Sequence, residues 1–177
     1  QQGLDKLKPL EMRLEIKKGI DNCYLIDDTY NNDFQGLTVA LDFLKQQKQR
    51  QNKTVILTDI QQSGLNDALL YKKVNELLIS HQINRLFTIG KQIAIFQDQF
   101  AIPVISYLTV ADFLSNQPTF QDEMILVKGA RKFALERIIH RLEAKKHRTQ
   151  LEIRLEGIVQ NLTNWNQPSP KLNLSDN

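Results

Sequence analysis

The sequence is poor in the residues that build covalent cross-links and metal sites. It contains one cysteine, Cys23, so an intramolecular disulfide and a cysteine-based metal centre are both excluded. Such sparing use of cysteine is typical of a reducing compartment, and we expect a cytoplasmic protein. The three histidines do not follow the spacing of metal ligands, so we predict no metal site.

Long hydrophobic runs and long runs of one charge are also missing. The apolar stretches fall far short of the roughly 20 residues that span a bilayer, so we expect no membrane segment. Lys and Arg number 23 against 20 Asp and Glu. This balance, without a basic run or an aromatic-basic ladder, argues against nucleic acid as a partner. The sequence also lacks the GxxxxGK[ST] pattern of a Walker A phosphate loop.

The sequence is rich in short apolar runs that alternate with amphipathic helical patterns. Hydrophobic residues make up 41% of its 177 residues, which is enough for the core of one domain. The predicted strands are 12–19, 22–27, 53–60, 85–90, 103–107 and 123–130, and the predicted helices are 34–50, 68–82, 109–116 and 132–146. The first two strands are expected to form a hairpin-like pair. The alternation predicts an α/β domain over residues 1–146, a Rossmann-like three-layer fold with a mostly parallel sheet.

The stretch CYLIDDTYNNDF lies where a predicted strand passes into a helix, and ligands of such sheets bind beyond the carboxyl ends of the strands. Asp27 and Asp28 could accept ribose hydroxyls or hold a magnesium ion through water. Tyr30 offers a ring face, and Asn31 offers the donor and acceptor that a purine edge requires. The alternative is an Asx-rich turn that caps the following helix, with Asp33 as the cap. Capping by Asp33 does not prevent the other residues from binding a ligand.

A second loop, LVKGAR, follows the last predicted strand. Lys128 and Arg131 flank Gly129 at the start of a helix, an arrangement that suits a carboxylate or a phosphate. The alternative is a turn glycine beside two solvated cations. Two further positions carry weaker signals, because Asp59 at the end of a strand belongs more often to a loop than to a site, and Arg13 by itself reads as an exposed cation.

Taken in order, these loops resemble one family. The segments MRLEI, YLIDDTYNND, LTDIQQSG, INRLFTIGK and ILVKGARKFALERI are similar to the C-terminal domain of the Mur ligases, which build the peptide stems of peptidoglycan. The pattern is most similar to the ligase that adds D-alanyl-D-alanine to UDP-N-acetylmuramoyl-tripeptide, and it covers residues 9–142. This sequence departs from the family pattern at five positions, which are Asn32 for alanine, Asp33 for asparagine, Gln62 for an acidic residue, Tyr71 for histidine and Ala130 for serine.

The resemblance implies an ATP-dependent ligase. In this family ATP phosphorylates the terminal carboxylate of the UDP-sugar peptide, and the amine of D-alanyl-D-alanine attacks the acyl phosphate. By resemblance, Arg13 would contact the ATP phosphates, Asp28 the ribose and Asn31 the adenine, and Tyr30 would belong to the same nucleotide site.

The resemblance also implies a substrate site formed by Asp59, Lys128, Gly129 and Arg131. Lys128 and Arg131 would act in catalysis, near the carboxylate of D-alanyl-D-alanine or the transferred phosphoryl group. In this family a central domain carries the phosphate loop and an N-terminal domain binds the UDP-sugar, and neither is found in this sequence. We therefore expect ATP and Mg²⁺ to be bound mostly by the central domain, and the fragment by itself to be inactive.

The end of the sequence carries a second resemblance. TQLEIRLEGIVQNLTNW is similar to the opening of alanine racemases, although Arg154 replaces an aspartate and Gly157 an alanine. We expect residues 147–177 to be a linker and the start of a racemase-like segment in a fused ligase–racemase polypeptide. The lysine motif that binds pyridoxal phosphate is not found, so this chain is expected to hold no pyridoxal phosphate.

A second hypothesis comes from a different functional class. The domain could be a non-catalytic module that binds a nucleotide or peptide and retains the Mur ligase fold. The departures at Asp33, Gln62 and Ala130 favour it.

Overall fold

The computed structural model of the chain describes residues 14–61 and 63–145, and within them six strands and five α-helices alternate. The strands are β1 (Glu15–Lys18), β2 (Tyr24–Asp28), β3 (Asn52–Thr58), β4 (Arg85–Ile89), β5 (Val104–Tyr107) and β6 (Glu123–Lys128). The helices are α1 (Phe34–Gln46), α2 (Asp67–Ser80), α3 (Lys91–Ile95), α4 (Val110–Asn116) and α5 (Glu136–Leu142), and single 3₁₀ turns occur at Gln97–Gln99 and Arg131–Phe133.

The six strands form one sheet in the order β1-β2-β6-β3-β4-β5. β1 pairs with β2 in antiparallel fashion, and every other neighbouring pair is parallel. The predicted mostly parallel sheet and the hairpin-like first pair are therefore confirmed. The last strand, β6, lies inside the sheet between β2 and β3.

Helices cover both faces of the sheet, because the central strands are apolar on both sides. On one face, side chains of α1 and α2 such as Leu41 and Val74 pack against Val55 of β3. On the other face, Phe113 of α4 and residues of α5 pack against Phe87 of β4. The predicted three-layer architecture is confirmed.

The last helix is shorter than the sequence indicates. We predicted a helix over 132–146, but α5 begins four residues later than that and ends at Leu142. Ala134 has a left-handed backbone with φ 52°, which separates the 3₁₀ turn from α5. At the other end, the Leu142 carbonyl accepts from the Ile20 amide and the Ala144 amide donates to the Lys18 carbonyl. The chain leaves the helix because it pairs there with the end of β1.

Two helix caps follow the sequence pattern closely. The Asp33 side chain accepts from the Gly36 amide at 2.6 Å, which confirms the predicted cap of α1. Thr109 and Asp112 form a reciprocal capping box at the start of α4. Helix α3 was not predicted, because its five residues show too little periodicity to be recognised.

Three predictions concern residues outside the described ranges. They are the nucleotide contact of Arg13, the departure at Gln62, and the racemase-like segment with the domain boundary at residue 147. Within the described residues, no helix combines the length and apolar character that a membrane crossing requires.

Candidate functional site

The carboxyl ends of the parallel strands lie together at one end of the sheet, which we call the carboxyl edge. An ion pair between two neighbouring strands lies at its centre. Asp28 and Lys128 are partners in the β2–β6 register, so their side chains project from the same face. The Lys128 Nζ atom donates to Asp28 Oδ2 at 2.8 Å and to the Asn31 carbonyl at 2.6 Å. The exposed fraction of the side chain is 2% for Lys128 and 16% for Asp28. The pair links two loops that the sequence analysis assigned to different ligands.

The first turn of α1 lies directly over this lysine. A Cβ atom at Gly36 would stand 3.4 Å from Lys128 Nζ and 3.3 Å from Asp33 Oδ1. These separations are short for a carbon beside polar atoms, so glycine allows the helix to approach the ammonium group. The amide end of α1 is a positive environment, and the carboxylates of Asp28 and Asp33 offset it.

The neighbouring carboxylate, Asp27, faces the opposite side of the strand because strand side chains alternate. It accepts from Lys17 Nζ at 3.2 Å and from Thr29 Oγ1 at 2.9 Å. Burial acts to lower the pKa of Lys17, but the hydrogen bond to Asp27 and the charges of Asp27, Glu15 and Glu143 together outweigh it, and the pKa is raised. The two adjacent aspartates therefore serve different contacts, and Asp28 alone faces the lysine of β6.

An exposed aromatic ring and an arginine lie beside the ion pair. The Arg131 guanidinium lies over the Tyr30 ring, 5.8 Å from its centroid, and the Arg131 amide donates to the Tyr30 carbonyl at 3.1 Å. Tyr30 is 63% exposed, so one face of its ring is open to a ligand. The structure thus brings a planar surface and an exposed cation to the same edge as the Asp28–Lys128 pair.

Asn32 joins the loops that follow β2 and β3. Its side-chain amide donates to the carbonyls of Thr58 and Asp59 at 2.9 and 3.1 Å. The Thr58 hydroxyl accepts from the Ala130 amide at 3.2 Å, which adds the loop after β6. A Cβ atom at Gly129 would collide with the Thr58 side chain, so the close packing of these loops requires glycine.

Asp59 occupies a structural position under α3. It is buried, and its Oδ1 atom accepts from the Ile93 amide at 2.8 Å in the first turn of that helix. Gly90, with φ 139°, passes so close that any Cβ there would overlap the carboxylate. Asp59 is therefore held by α3, one loop away from the Lys128 pair, and Asn32 is the link between the two.

Tyr71, which stands where the family pattern has histidine, belongs to the core. Its hydroxyl accepts from the Ile60 amide at 3.4 Å, and its ring stacks on Phe96 with the centroids 5.2 Å apart. Burial, with a contribution from the charges of Asp59 and Asp67, raises the pKa of Tyr71 to about 12. The phenol therefore stays protonated at neutral pH.

Three residues at this edge escaped the sequence analysis as functional positions. Asn32 was visible as a polar residue in place of alanine, and that departure was the signal that could have found it. Thr58 ends a buried strand, where a hydroxyl must find a partner. Gly36 gave no signal, because its role depends on a lysine 92 positions away along the chain.

The described residues contain no cluster of three or more His, Cys, Asp and Glu side chains that could hold a metal ion. The arrangement instead offers a carboxylate fixed by an ammonium group, an open aromatic face and an exposed guanidinium. These groups suit a ligand with hydroxyls, a flat ring and negative charge.

Comparison with solved structures identifies the class of fold. The chain is similar to MurF from Acinetobacter baumannii, with a TM-score of 0.59 and 22% sequence identity over 77% of this chain and 31% of that one. It is also similar to the MurF ligase of Thermotoga maritima in complex with ADP, with a TM-score of 0.57 and 16% identity over 77% of this chain and 31% of that one. The mixed α/β sheet is therefore the fold of a Mur ligase domain.

A further solved structure shows this fold as a separate piece. It is a domain attributed to a UDP-N-acetylmuramate:L-alanyl-gamma-D-glutamyl-meso-diaminopimelate ligase from Haemophilus ducreyi. The match has a TM-score of 0.52 and 18% identity, and it covers 73% of this chain and 97% of that domain.

Two curated relatives of the sequence carry the name of the same ligase. The chain is 26% identical over 144 residues to the UDP-N-acetylmuramoyl-tripeptide–D-alanyl-D-alanine ligase of Bacillus subtilis. It is 32% identical over 89 residues to the ligase of the same name from Buchnera aphidicola. These matches cover 77% and 50% of this chain, but 32% and 19% of the relatives. No protein-family model matches the chain.

Proposed function

We propose that the chain is the C-terminal domain of an ATP-dependent ligase that adds D-alanyl-D-alanine to UDP-N-acetylmuramoyl-tripeptide. The observation that carries this proposal is the joining of Asp28, Tyr30, Lys128 and Arg131 at the carboxyl edge of the sheet. The two curated relatives bear the name of this ligase, and the solved relatives share the fold.

The nucleotide is assigned to the loop after β2. Asp28 would accept the ribose hydroxyls, Tyr30 would present its open ring face, and Asn31 would bind the adenine edge. The contact of Arg13 with the ATP phosphates completes this assignment. The ADP in the ligase of Thermotoga maritima supports a nucleotide in proteins of this fold.

Anionic groups are assigned to the positive charge of the loop after β6. Arg131 is exposed and would contact the transferred phosphoryl group or the carboxylate of D-alanyl-D-alanine. The amide of Gly129 would add positive potential at the same edge, and Asp59 would belong to the substrate site through the loop that it orders. The resemblance also implies a catalytic role for Lys128, but its burial beneath α1 favours a role exerted through Asp28. Stabilising the charge that develops on a transferring phosphoryl group is mainly an electrostatic task, which such groups perform.

The remaining parts of the proposal concern the rest of the polypeptide. An N-terminal domain would bind the UDP-sugar, and a central domain would supply most of the contacts to ATP and Mg²⁺. The whole polypeptide would be cytoplasmic. A racemase domain would follow residues 147–177 in the same polypeptide, so this chain would hold no pyridoxal phosphate. The chain by itself would be inactive, because the edge described here forms one wall of the active site.

The test uses the full-length polypeptide that contains this chain. ADP release should require both the UDP-linked tripeptide and D-alanyl-D-alanine, and Arg131→Ala should lower the rate on the order of a hundredfold. Arg137→Ala is the matched control, because Arg137 is also exposed and lies six positions further along in α5. Turnover that is unaffected by Arg131→Ala would refute the site.

The second candidate is a binding module without catalysis. It is favoured by Ala130, which has no hydroxyl, and by Asp33, whose carboxylate is engaged in capping α1. Under this hypothesis the full-length polypeptide binds ADP. It does not convert ATP to ADP when both substrates are present. Substrate-dependent ADP release excludes it.

A further inference from the structure

We propose that Lys128 is a positioning residue, whose buried ammonium group fixes Asp28 and the loop of residues 29–31 from beneath without contacting the ligand. The identity of that ligand rests on the proposed function. The position of Lys128 rests on the structure of the carboxyl edge.

Lys128 is bound at two points that belong to the same loop. One hydrogen bond reaches a side chain, Asp28 Oδ2, and the other reaches the main chain at the Asn31 carbonyl. The lysine thus sets both the orientation of the carboxylate and the path of the loop. Within the described residues, Asp28 Oδ1 accepts no hydrogen bond, so this oxygen is available to a ligand.

The burial of Lys128 separates it from Arg131. With 2% of its side chain exposed, Lys128 lies beneath the first turn of α1, close to Gly36. Because so little of the side chain is exposed, a ligand could touch the ammonium group only if Lys128 left this position. That movement would leave Asp28 unpaired, which is costly for a buried lysine and its partner. Arg131 is exposed and can reach a ligand anion without such a loss. Lys128 and Arg131, the two cations of the loop after β6, therefore have different roles.

The first experiment uses the 177-residue chain and needs no substrate. Brief treatment with an acetylating reagent, followed by mass spectrometry, should modify the exposed Lys132 and spare Lys128. Equal modification of both lysines would overturn the proposal. This measurement is made on the unaltered protein, so it does not depend on whether a variant folds.

A double-mutant cycle tests the pairing. Asp28→Asn should leave an uncompensated buried ammonium and lower the folding equilibrium constant by about tenfold or more, and Lys128→Met should lower it less. The double variant Asp28→Asn with Lys128→Met should be more stable than the product of the two single losses predicts. Losses that simply multiply would mean that the pair is not coupled, and the proposal would fail.

The functional readout is the division of the effect between KM and kcat in the full-length polypeptide. Lys128→Met should raise the KM for ATP by about tenfold while kcat at saturating ATP changes by less than about threefold. Asp28→Asn should show the same pattern, and Lys132→Met should leave both constants unchanged. A loss of kcat with KM unchanged would make Lys128 a catalytic residue and overturn the proposal.

The two proposals can fail separately. If the unaltered polypeptide shows no substrate-dependent ADP release, the proposed function fails. The positioning role is then still decided by the acetylation pattern and by the double-mutant cycle. It is also tested by the dissociation constant of ADP, which Lys128→Met should raise.

Discussion

Strand β6 carries an ion pair at each end, and the two pairs are built differently. At its amino end, Glu123 accepts from Arg85 at 2.7 Å, and the Arg85 guanidinium lies 4.8 and 5.0 Å from the ring centroids of Phe87 and Phe120. At its carboxyl end, Lys128 is sealed beneath α1. The arginine is fixed by aromatic faces and still reaches water, whereas the lysine is fixed by a carboxylate and a carbonyl.

A cleft of about 730 Å³ lies at the amino end. It is lined by Asp21, Asn22, Arg85, Thr119, Phe120, Gln121, Asp122 and Glu123. In parallel sheets, however, ligands bind at the carboxyl ends of the strands, where helix amino ends and loops converge. The open cleft and the chemically organised edge are therefore opposite ends of one sheet. In this sheet the open volume and the site chemistry do not coincide.

The largest effect is expected at the carboxyl edge, from Gly90→Ala. The added methyl group would overlap the Asp59 carboxylate, and φ 139° is unfavourable for any residue with a Cβ. We expect the free energy of unfolding to fall by about 3 kcal/mol or more. Gly64→Ala is the control, because Gly64 has φ 68° with nothing within 4 Å of an added Cβ, and it should cost about 1 kcal/mol. Urea denaturation measures both, and equal losses would contradict the packing at Asp59.

The second effect is a dependence of stability on alkaline pH. Because the pKa of Tyr71 is raised from 10.0 to about 12, the unfolded chain loses this proton first as the pH rises. The contribution of Tyr71 is complete below about pH 10 and is lost as the pH approaches 12, by about 2–3 kcal/mol in total. Unfolding of the wild type and Tyr71→Phe should be compared from pH 9 to pH 12. Parallel curves for the two proteins would refute the prediction, since all other groups titrate in both.

The third effect concerns the cap beside Lys128. Asp33→Ala removes the acceptor of the Gly36 amide and should lower the free energy of unfolding by about 1 kcal/mol. Thr109→Ala, at the start of α4, removes a comparable cap away from the ion pair and should cost about the same. Thermal and urea denaturation report both losses. A neutral Asp33→Ala would show that the carboxylate does not stabilise α1.

The smallest effect is expected at the amino end, from Arg85→Met. Met keeps most of the length of the arginine side chain but removes its charge. The pair with Glu123 is partly open to water, so we expect the free energy of unfolding to fall by about 0.5–1 kcal/mol. Turnover of the full-length polypeptide should not change. A loss of turnover as large as that of Arg131→Ala would place function at the amino end and reverse the comparison.

The fold followed from the sequence because its signals are local. Buried strands such as β3 and β6 are apolar runs in the sequence, and the cap at Asp33 stands in the sequence context that predicted it. The extent of α5 could not be predicted, because it ends where Leu142 meets Ile20, a contact between distant segments.

The residues of the candidate site could be predicted from the sequence, but the contacts between them could not. Asp28, Tyr30, Lys128 and Arg131 were all identified as polar residues at strand ends. The pairing of Asp28 with Lys128 joins residues 100 positions apart and depends on the placement of β6 beside β2. Sequence periodicity describes each strand by itself and does not give the order of strands in a sheet.

The central position of β6 has a consequence for the synthesis of the protein. Until the ribosome has released the segment Glu123–Lys128, β2 has no parallel neighbour and β3 lacks the partner on one of its sides. A nascent chain that ends before this strand holds two unfinished half-sheets with open, apolar edges, which are prone to aggregation. The sheet closes, and Asp28 acquires its buried counter-ion, when the last strand inserts. A chaperone that binds the growing chain should therefore be retained until residue 128 has emerged.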